Sequence, residues 1–244
     1  MIIITADDYG KNSHTTDNIL ECFSNTSITS TSAMVYMEDS ERAATLALEA
    51  DIEVGLHINF TMPFRVDKVT SNICNHHGRV VSYLTKSKLA QIIYNPLLAG
   101  SFDFLFKAQL EEFMRLYGKL PAFYNGHQHM HLCANMLMGK LLPKGTRVRR
   151  TFTFDQGEKN ICNLFYRLLL DVAVARRFIS TEYFFSILPL WNMERLRNIF
   201  DRSVSSNVEL EVHPENADEI GFLFSDQYLN MIESARVGNF SKIS

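Results

Sequence analysis

The chain opens on Met1-Ile2-Ile3-Ile4, an unbroken apolar run that passes without a linker into Thr5-Ala6-Asp7-Asp8-Tyr9-Gly10. A short, wholly apolar run ending in acids and Gly predicts a parallel strand buried on both faces, whose carboxyl end breaks into a turn. Ile19, Leu20 and Phe23 then recur at helical spacing between Ser13 and Ser24, with Asn12 or Ser13 as the N-cap. Ser30 to Tyr36 predicts a second strand, the Ala-, Leu- and Glu-rich stretch from Ser40 to Ala50 a helix, and Ile52 to Asn59 a third strand.

From Met62 to Val81 the periodicity lapses into a polar stretch carrying Pro63, Asn72, Asn75, His76, His77 and Gly78. A loop of about twenty residues inside a compact domain is uncommon and usually serves as a lid or binding loop, so 62–81 is expected to be a substrate-loop insertion. Helical spacing returns over 84–94, breaks at Pro96 and resumes from Phe102 to Tyr117, where Gly118 ends it. Further strands are predicted at 122–125, 146–151, 183–187 and 208–213. Helices are expected at 134–142, 160–177, 193–200 and 226–235, and a polar turn at 155–159. Such alternation predicts a parallel sheet. A single-domain α/β fold, a distorted (β/α) barrel over 1–244, is the expectation. Acids and histidines fall just past the strands' carboxyl ends, where barrel sites assemble, and no GxGxxG or GxxxxGK[ST] is present to hold a nucleotide.

Composition narrows the function. With 244 residues, 46% hydrophobic and 21% charged, the chain has ample material for a core. A net charge of −3 leaves no electrostatic footprint for nucleic acid or an anionic membrane. Cys22, Cys74, Cys133 and Cys162 are scattered, with no CxxC, which suits reduced thiols better than a disulfide framework or a thiolate zinc site. The first residues lack a basic segment and a long apolar run, so a cytoplasmic location is expected.

The chemistry gathers at strand ends. Adjacent carboxylates at Asp7 and Asp8 repel one another unless a cation or a reacting proton compensates them. Of eight histidines, five (His57, His127, His129, His131 and His213) lie at three predicted strand ends that a barrel brings to the same rim as the two acids. One carboxylate with two imidazoles makes an open site for one divalent metal ion, leaving the second acid to take a proton. His127, His129 and His131 would share one face if extended, and a mononuclear site needs only one or two of them. His213, held extended by Pro214, suits a general acid for an amine leaving group, although a strand terminus near water is its plainer role. Arg149 and Arg150 could orient a substrate or Asp7 or simply be solvated, and Phe60, Phe64, Phe152 and Trp191 could stack on sugars or pack in the core.

Four separated motifs now stand in order: Thr5-Ala6-Asp7-Asp8-Tyr9-Gly10, Gly55-Leu56-His57-Ile58-Asn59-Phe60-Thr61, Asn125-Gly126-His127-Gln128-His129-Met130-His131-Leu132 and Glu211-Val212-His213-Pro214. Together they resemble the YdjC/ChbG-type carbohydrate deacetylases across most of the chain. The resemblance implies a polysaccharide-deacetylase-like barrel, a divalent ion (magnesium foremost, zinc or another as alternatives) and removal of an N-acetyl group from an amino sugar or short chito-oligosaccharide. It implies that Asp8, His57 and His127 hold the metal, that Asp7 is the base and that His213 is the acid. His129, His131 and Arg150 are left as substrate or supporting contacts. Tyr9 replaces the family's usual Phe, and Glu215 follows Pro214 where a small residue is common. Two rival functions are a metal phosphoesterase, which would want more carboxylates, and a catalytically silent sugar binder, which would need neither base nor acid. The expected partner is a small N-acetylated sugar. A homodimer would suit a barrel with exposed apolar helices, although no interface signature is visible.

Overall fold

The computed structural model describes residues 1–25, 28–154, 158 and 160–243. Its parallel sheet runs β4-β3-β2-β1-β6-β5, with β1 at Ile2–Tyr9, β2 at Ser30–Ala33, β3 at Val54–Ile58, β4 at Tyr124–Gly126, β5 at Tyr183–Ser186 and β6 at Val208–Val212. The gap between the edge strands β4 and β5 is spanned by 146–153. Tyr124 pairs with Val148 and Arg147 with Ile179 as isolated parallel bridges, and the Thr153 N–H bonds the Phe184 carbonyl at 2.7 Å. The sheet thereby closes into a distorted barrel. The regular strand expected over 146–151 reduces to these bridges, because the segment must turn from one edge to the other within a few residues.

Helices cover the outside: α1 at Ser13–Ser24, α2 at Ser40–Glu49, α3 at Ser71–Leu84, α4 at Ala99–Tyr117, α5 at Ala134–Met138, α6 at Ile161–Ala175, α7 at Met193–Ser205, α8 at Ala217–Leu223 and α9 at Asp226–Glu233. Strand alternation sorts the side chains. Ile2, Ile4 and Ala6 of β1, Leu56 and Ile58 of β3, and Leu210 and Val212 of β6 belong to the large outer core under the helices. The opposite face turns inward. At the amino end of the strands Met1, Ile3 and Phe123 pack with Phe240 and Ile243 from the chain's end, an apolar plug. Phe123 and Phe240 stack there at 3.9 Å. Gly55 is required beside them: a Cβ at that position would lie 2.6 Å from the Phe123 ring. Above the plug the interior is polar, and there the inward positions of β1, β2, β3 and β6 are Thr5 and Asp7, Ser32, His57, and Glu209 and Glu211.

Three local expectations change. The stretch 62–81, read as irregular, is half helix. Thr70 caps α3 by accepting the Ile73 N–H, and Ile73, His77, Val80 and Leu84 form a buried stripe. A His at one of those stripe positions, with Asn, Gly and a second His around it, had hidden the period. The helix expected over 84–94 is therefore absent; α3 ends at Leu84 and only a short 3-10 turn, Lys88–Gln91, follows. Helix α8 goes unpredicted because it is barely two turns long. The polar turn expected at 155–159 lies, apart from Glu158, outside the described residues. No helix among the described residues is long and apolar enough to cross a membrane.

Candidate metal centre and active site

The site begins with an irregularity in β1. Its pairing with β2 shifts register between Ala6 and Tyr9, and Asp8 takes a left-handed φ of 68°. A bulge of this kind re-aims a side chain, and an Asp tolerates the conformation better than most residues. Consecutive acids thus point to different places. Asp7 continues the inward face, and Asp8 reaches the rim.

Asp8 meets two histidines. Its Oδ1 lies 3.1 Å from His57 Nε2 and 3.2 Å from His127 Nδ1, and the three residues each offer a ligand atom within 4.8 Å of the others. The state of His57 follows from its neighbours. The Asn125 Nδ2 donates to Asp7 Oδ1 at 3.0 Å, so Asn125 Oδ1 faces His57 Nδ1, 2.8 Å away, and accepts a hydrogen bond from its N–H. Nδ1 is then the protonated nitrogen, and the Nε2 lone pair points toward Asp8. That Nε2 is buried and, despite its closeness to Asp8, has no aligned hydrogen-bond partner among the described residues. A buried imidazole nitrogen without a hydrogen bond, beside a carboxylate and a second imidazole, fits a divalent cation, and a hydrogen bond that fixes the far nitrogen is the usual support for such a ligand.

Both groups are electrostatically tuned. Burial alone would raise the Asp8 pKa, but the hydrogen bond to His127 and the neighbouring imidazoles hold it well below the usual carboxylate range. Burial would lower that of His57, yet Asp7 and then Asp8 outweigh it and raise its proton affinity. A cation at this place competes for the same lone pair.

A second group lies alongside. Asp7, Glu211 and His213 also offer ligand atoms within 4.8 Å of one another, but Asp7 is already committed. Its Oδ1 accepts from Ser32 Oγ at 2.9 Å, Asn125 Nδ2 at 3.0 Å and Arg149 Nη2 at 2.9 Å, while its Oδ2 takes Arg149 Nη1 at 2.5 Å. Arg149 is fully buried, donates also to Glu209 at 2.7 Å and Glu211 at 2.9 Å, and covers the Phe184 ring at 4.7 Å. Burial would raise the Asp7 pKa; Arg149 and His57 overcome it and keep the group ionised. Glu211 behaves oppositely. Burial outweighs Arg149, and with the Asp7 charge beside it raises the proton affinity of Glu211 well above the ordinary carboxylate value. Two neighbouring carboxyl groups driven apart in this way are a pattern of acid–base sites.

His213 is fixed through its backbone, its N–H donating to Glu219 Oε2 at 2.7 Å. The following residues are pinned as well: Lys11 Nζ bonds both oxygens of Glu215 at 2.7 Å and lies 3.6 Å from Asp8 Oδ2. Glu215, the departure noted in the sequence, therefore ties the end of β6 to the turn after β1.

The other candidates go elsewhere. His127 to Leu132 form a 3-10 turn in which Gln128 and His129 adopt φ of 52° and 59°, so the three histidines fan out instead of sharing a face. His129 turns to Phe152, with ring centroids 4.5 Å apart, and to Glu211, 3.9 Å away. His131 is fully buried against the Arg149 carbonyl at 3.0 Å, and burial lowers its pKa to about 3. Arg150 leaves the site altogether. It pairs with Asp171 at 2.5 Å and with the Glu182 carbonyl, because the bridge at Val148 puts Arg149 inward and its neighbour outward. Of the aromatic candidates, Phe60 and Phe64 are core residues, and Trp191 is exposed. Glu209 and Glu211 were missed in the sequence. The signal was Glu209-Glu211-His213 at a period of two, polar on one face of a strand whose other face is apolar, which is a barrel interior once the helices are placed outside.

Comparisons with known proteins agree with this architecture. The family model described as YdjC-like protein matches residues 1–236. The carbohydrate deacetylase of Danio rerio is 27% identical over 134 residues, 54% of this chain and 42% of that protein. The human carbohydrate deacetylase is 30% identical over 136 residues, 54% of this chain and 41% of its own length. The chitooligosaccharide deacetylase of Proteus mirabilis is 30% identical over 133 residues, covering 54% and 50%. The chain spans about half the length of the curated relatives it matches. Among solved structures, an Enterococcus faecalis protein provisionally assigned to cellobiose-phosphate cleavage superposes with a TM-score of 0.69 over 98% of this chain and 97% of that one. At 16% identity the likeness establishes a shared fold.

Proposed function

This chain belongs to the YdjC-like protein family, and from that premise we propose that it is a metal-dependent hydrolase removing the N-acetyl group of an amino sugar or short chito-oligosaccharide. The observation that carries the proposal is the adjacency of two unlike groups. Asp8, His57 and His127 form a donor set suited to a divalent cation, and beside them Asp7 and His213 are held by separate supports. A binder without chemistry would have no use for the second group, and a two-metal phosphoesterase would need Asp7 free of Arg149.

A cation held by Asp8, His57 and His127 would supply Lewis acidity, polarising the acetamide carbonyl and making water a stronger acid. Asp7 then acts as base. Its Oδ1 is saturated by three donors, which leaves Oδ2 to take the proton from the attacking water while Arg149 and Asn125 keep the carboxylate from rotating. His213 donates a proton to the nitrogen as the C–N bond breaks, so that an amine leaves in place of its much more basic anion. Acetate and the free amino sugar are the products. His129 and Phe152 line a cleft next to Glu211 and are placed to contact the sugar. The face of α3 and the residues before it, 62–81, form the wall proposed to select the substrate.

Magnesium is the ion proposed by the family resemblance. Two imidazoles in the donor set favour a softer ion such as zinc, because magnesium prefers oxygen ligands. The test is acetate release from diacetylchitobiose and a panel of N-acetylated sugars by the purified chain, after chelation and after return of magnesium, zinc or manganese. Release that disappears with chelator and returns with one of the ions is the expected result. No release from any sugar by a folded, metal-loaded protein would reject the proposal.

A further inference from the structure

Helix α6 carries its polarity the wrong way round for a surface helix. Its two charged side chains turn to their own chain: Arg167 covers the Phe154 ring at 4.7 Å and bonds Asn163 at 2.8 Å, and Asp171 pairs with Arg150 and accepts from Thr151 Oγ1 at 2.9 Å. The same side of the helix lines the cleft beside His129 and Phe152. Solvent receives Ile161, Phe165, Leu168, Leu169 and Val172, from 40% exposed at Val172 to 81% at Ile161, with only Cys162 and Ala173 between them before Arg176 closes the face. A surface helix ordinarily shows the reverse, apolar toward the core and charged outside. In the sequence this face is hidden, because Leu164, Leu170 and Val174 on the inner side make the helix read as apolar all round.

The spacing points to the occupant. Ile161, Phe165, Leu168 and Val172 recur at intervals of four, three and four, the narrow seam by which one helix packs along another. Laid antiparallel on a copy of itself about a two-fold axis, this seam sets Ile161 opposite Val172 and Phe165 opposite Leu168, a larger side chain against a smaller one in every layer. The area agrees. The five apolar residues leave roughly 550 Å² open on one face, near the upper end of what a monomer keeps. A stable dimer hides about 800 Å² of each copy, of which about two-thirds is apolar, so this face supplies the apolar share and the flanks of α6 the rim. Charge sets the direction. A parallel pair would bring Arg176 against Arg176, whereas the antiparallel pair carries each Arg176 toward the end of the other helix, where exposed Glu158 stands, 3.9 Å from Arg195 of its own chain. A bilayer surface would ask for basic residues beside the apolar stripe, and α6 has only Arg167, turned to its own chain.

We infer that α6 is the interface of a two-fold homodimer, packed antiparallel on the α6 of a second copy and backing the wall of the cleft. The inference stands apart from the deacetylase reading, because its test reads mass and cross-links and not turnover. By gel filtration with light scattering, the protein at micromolar concentration should run at twice its 28.0 kDa. Phe165→Glu combined with Leu168→Glu should return it to a single copy with an unchanged circular dichroism spectrum, since both side chains are exposed. Cross-linking reads the orientation without the charged variant. In a background of Cys74→Ser and Cys162→Ser, which removes the two exposed thiols, proteins carrying Ile161→Cys or Val172→Cys are mixed in reductant and then oxidised with copper phenanthroline. A covalent dimer is expected from the mixture and from neither protein alone. A wild-type mass of 28.0 kDa at hundred-micromolar concentration overturns the inference, including the case in which that monomer binds anionic vesicles through this face. So does a dimer that survives the two Glu substitutions, or a covalent dimer from either single-cysteine protein alone, the mark of a parallel pair.

Discussion

Replacing Arg149 by Met probes the part of the barrel on which the reacting acid depends. The guanidinium is fully buried and is the shared partner of Asp7, Glu209 and Glu211, which lie within 2.5 to 2.9 Å of its nitrogens. Met fills a similar volume but leaves those acids without a counter-charge in an interior that they cannot leave. Breaking a buried pair by removing one partner costs about 3–5 kcal/mol. For a chain of this size each kcal/mol moves Tm by about 2–4 °C, so the expected fall at pH 7.5 is roughly 6–20 °C. The sign of the pH dependence is fixed too. In the wild type Arg149 keeps the Asp7 pKa below its ordinary value, so that carboxylate stabilises the fold above about pH 4 and its contribution is lost on acidification below that. Without Arg149 the buried acids have raised pKa values, and their cost is absent in acid and grows as pH rises through the neutral range. The gap in stability between wild type and variant should therefore widen from pH 5 to pH 7.5, followed by circular dichroism melts and urea titration. A gap below about 1 kcal/mol at pH 7.5, or one constant with pH, would refute the counter-charge role.

Other outcomes follow from the same geometry. Asp8→Asn and His57→Gln should each weaken divalent-metal binding in calorimetry and lower kcat/KM more than about a hundredfold, while Tm falls far less than for Arg149→Met. His213→Gln should reduce kcat on N-acetyl sugars about 10²–10⁴-fold, and much less on an activated acetate ester, whose leaving group needs no proton; equal losses on both would remove the acid role. His77 is buried against Phe64, ring centroids 4.2 Å apart, and burial lowers its pKa from 6.5 to about 4. Its neutral form contributes stability in full above pH 6.5, and about 2 kcal/mol of that is lost by pH 5 as the unfolded chain takes up the proton. His77→Phe should flatten this limb of the stability profile, and an unchanged limb would contradict the assignment.

Much of this was legible because chemistry and pattern coincided. The apolar start of β1 ending in Asp7-Asp8 and the strand-helix alternation needed only local periodicity, and the YdjC-type motifs placed the family. What escaped depended on parity or on backbone that side-chain patterns do not encode. Arg149 and Arg150 are equivalent in the sequence; the bridge that joins Val148 to Tyr124 decides which faces inward. His127, His129 and His131 read as one face of an extended segment, until left-handed backbone at Gln128 and His129 separates them. Helix α3 was hidden by a histidine serving as a core residue. The bulge that turns Asp8 away from Asp7 had no signal beyond the Gly that follows the motif.

The account depends most on where a cation sits. Crystals grown with manganese should give an anomalous peak bounded by Asp8 Oδ1, His57 Nε2 and His127 Nδ1, with Asp7 still clasped by Arg149. A peak among Asp7, Glu211 and His213, or none at the Asp8 site in protein shown to bind the ion in solution, would contradict it.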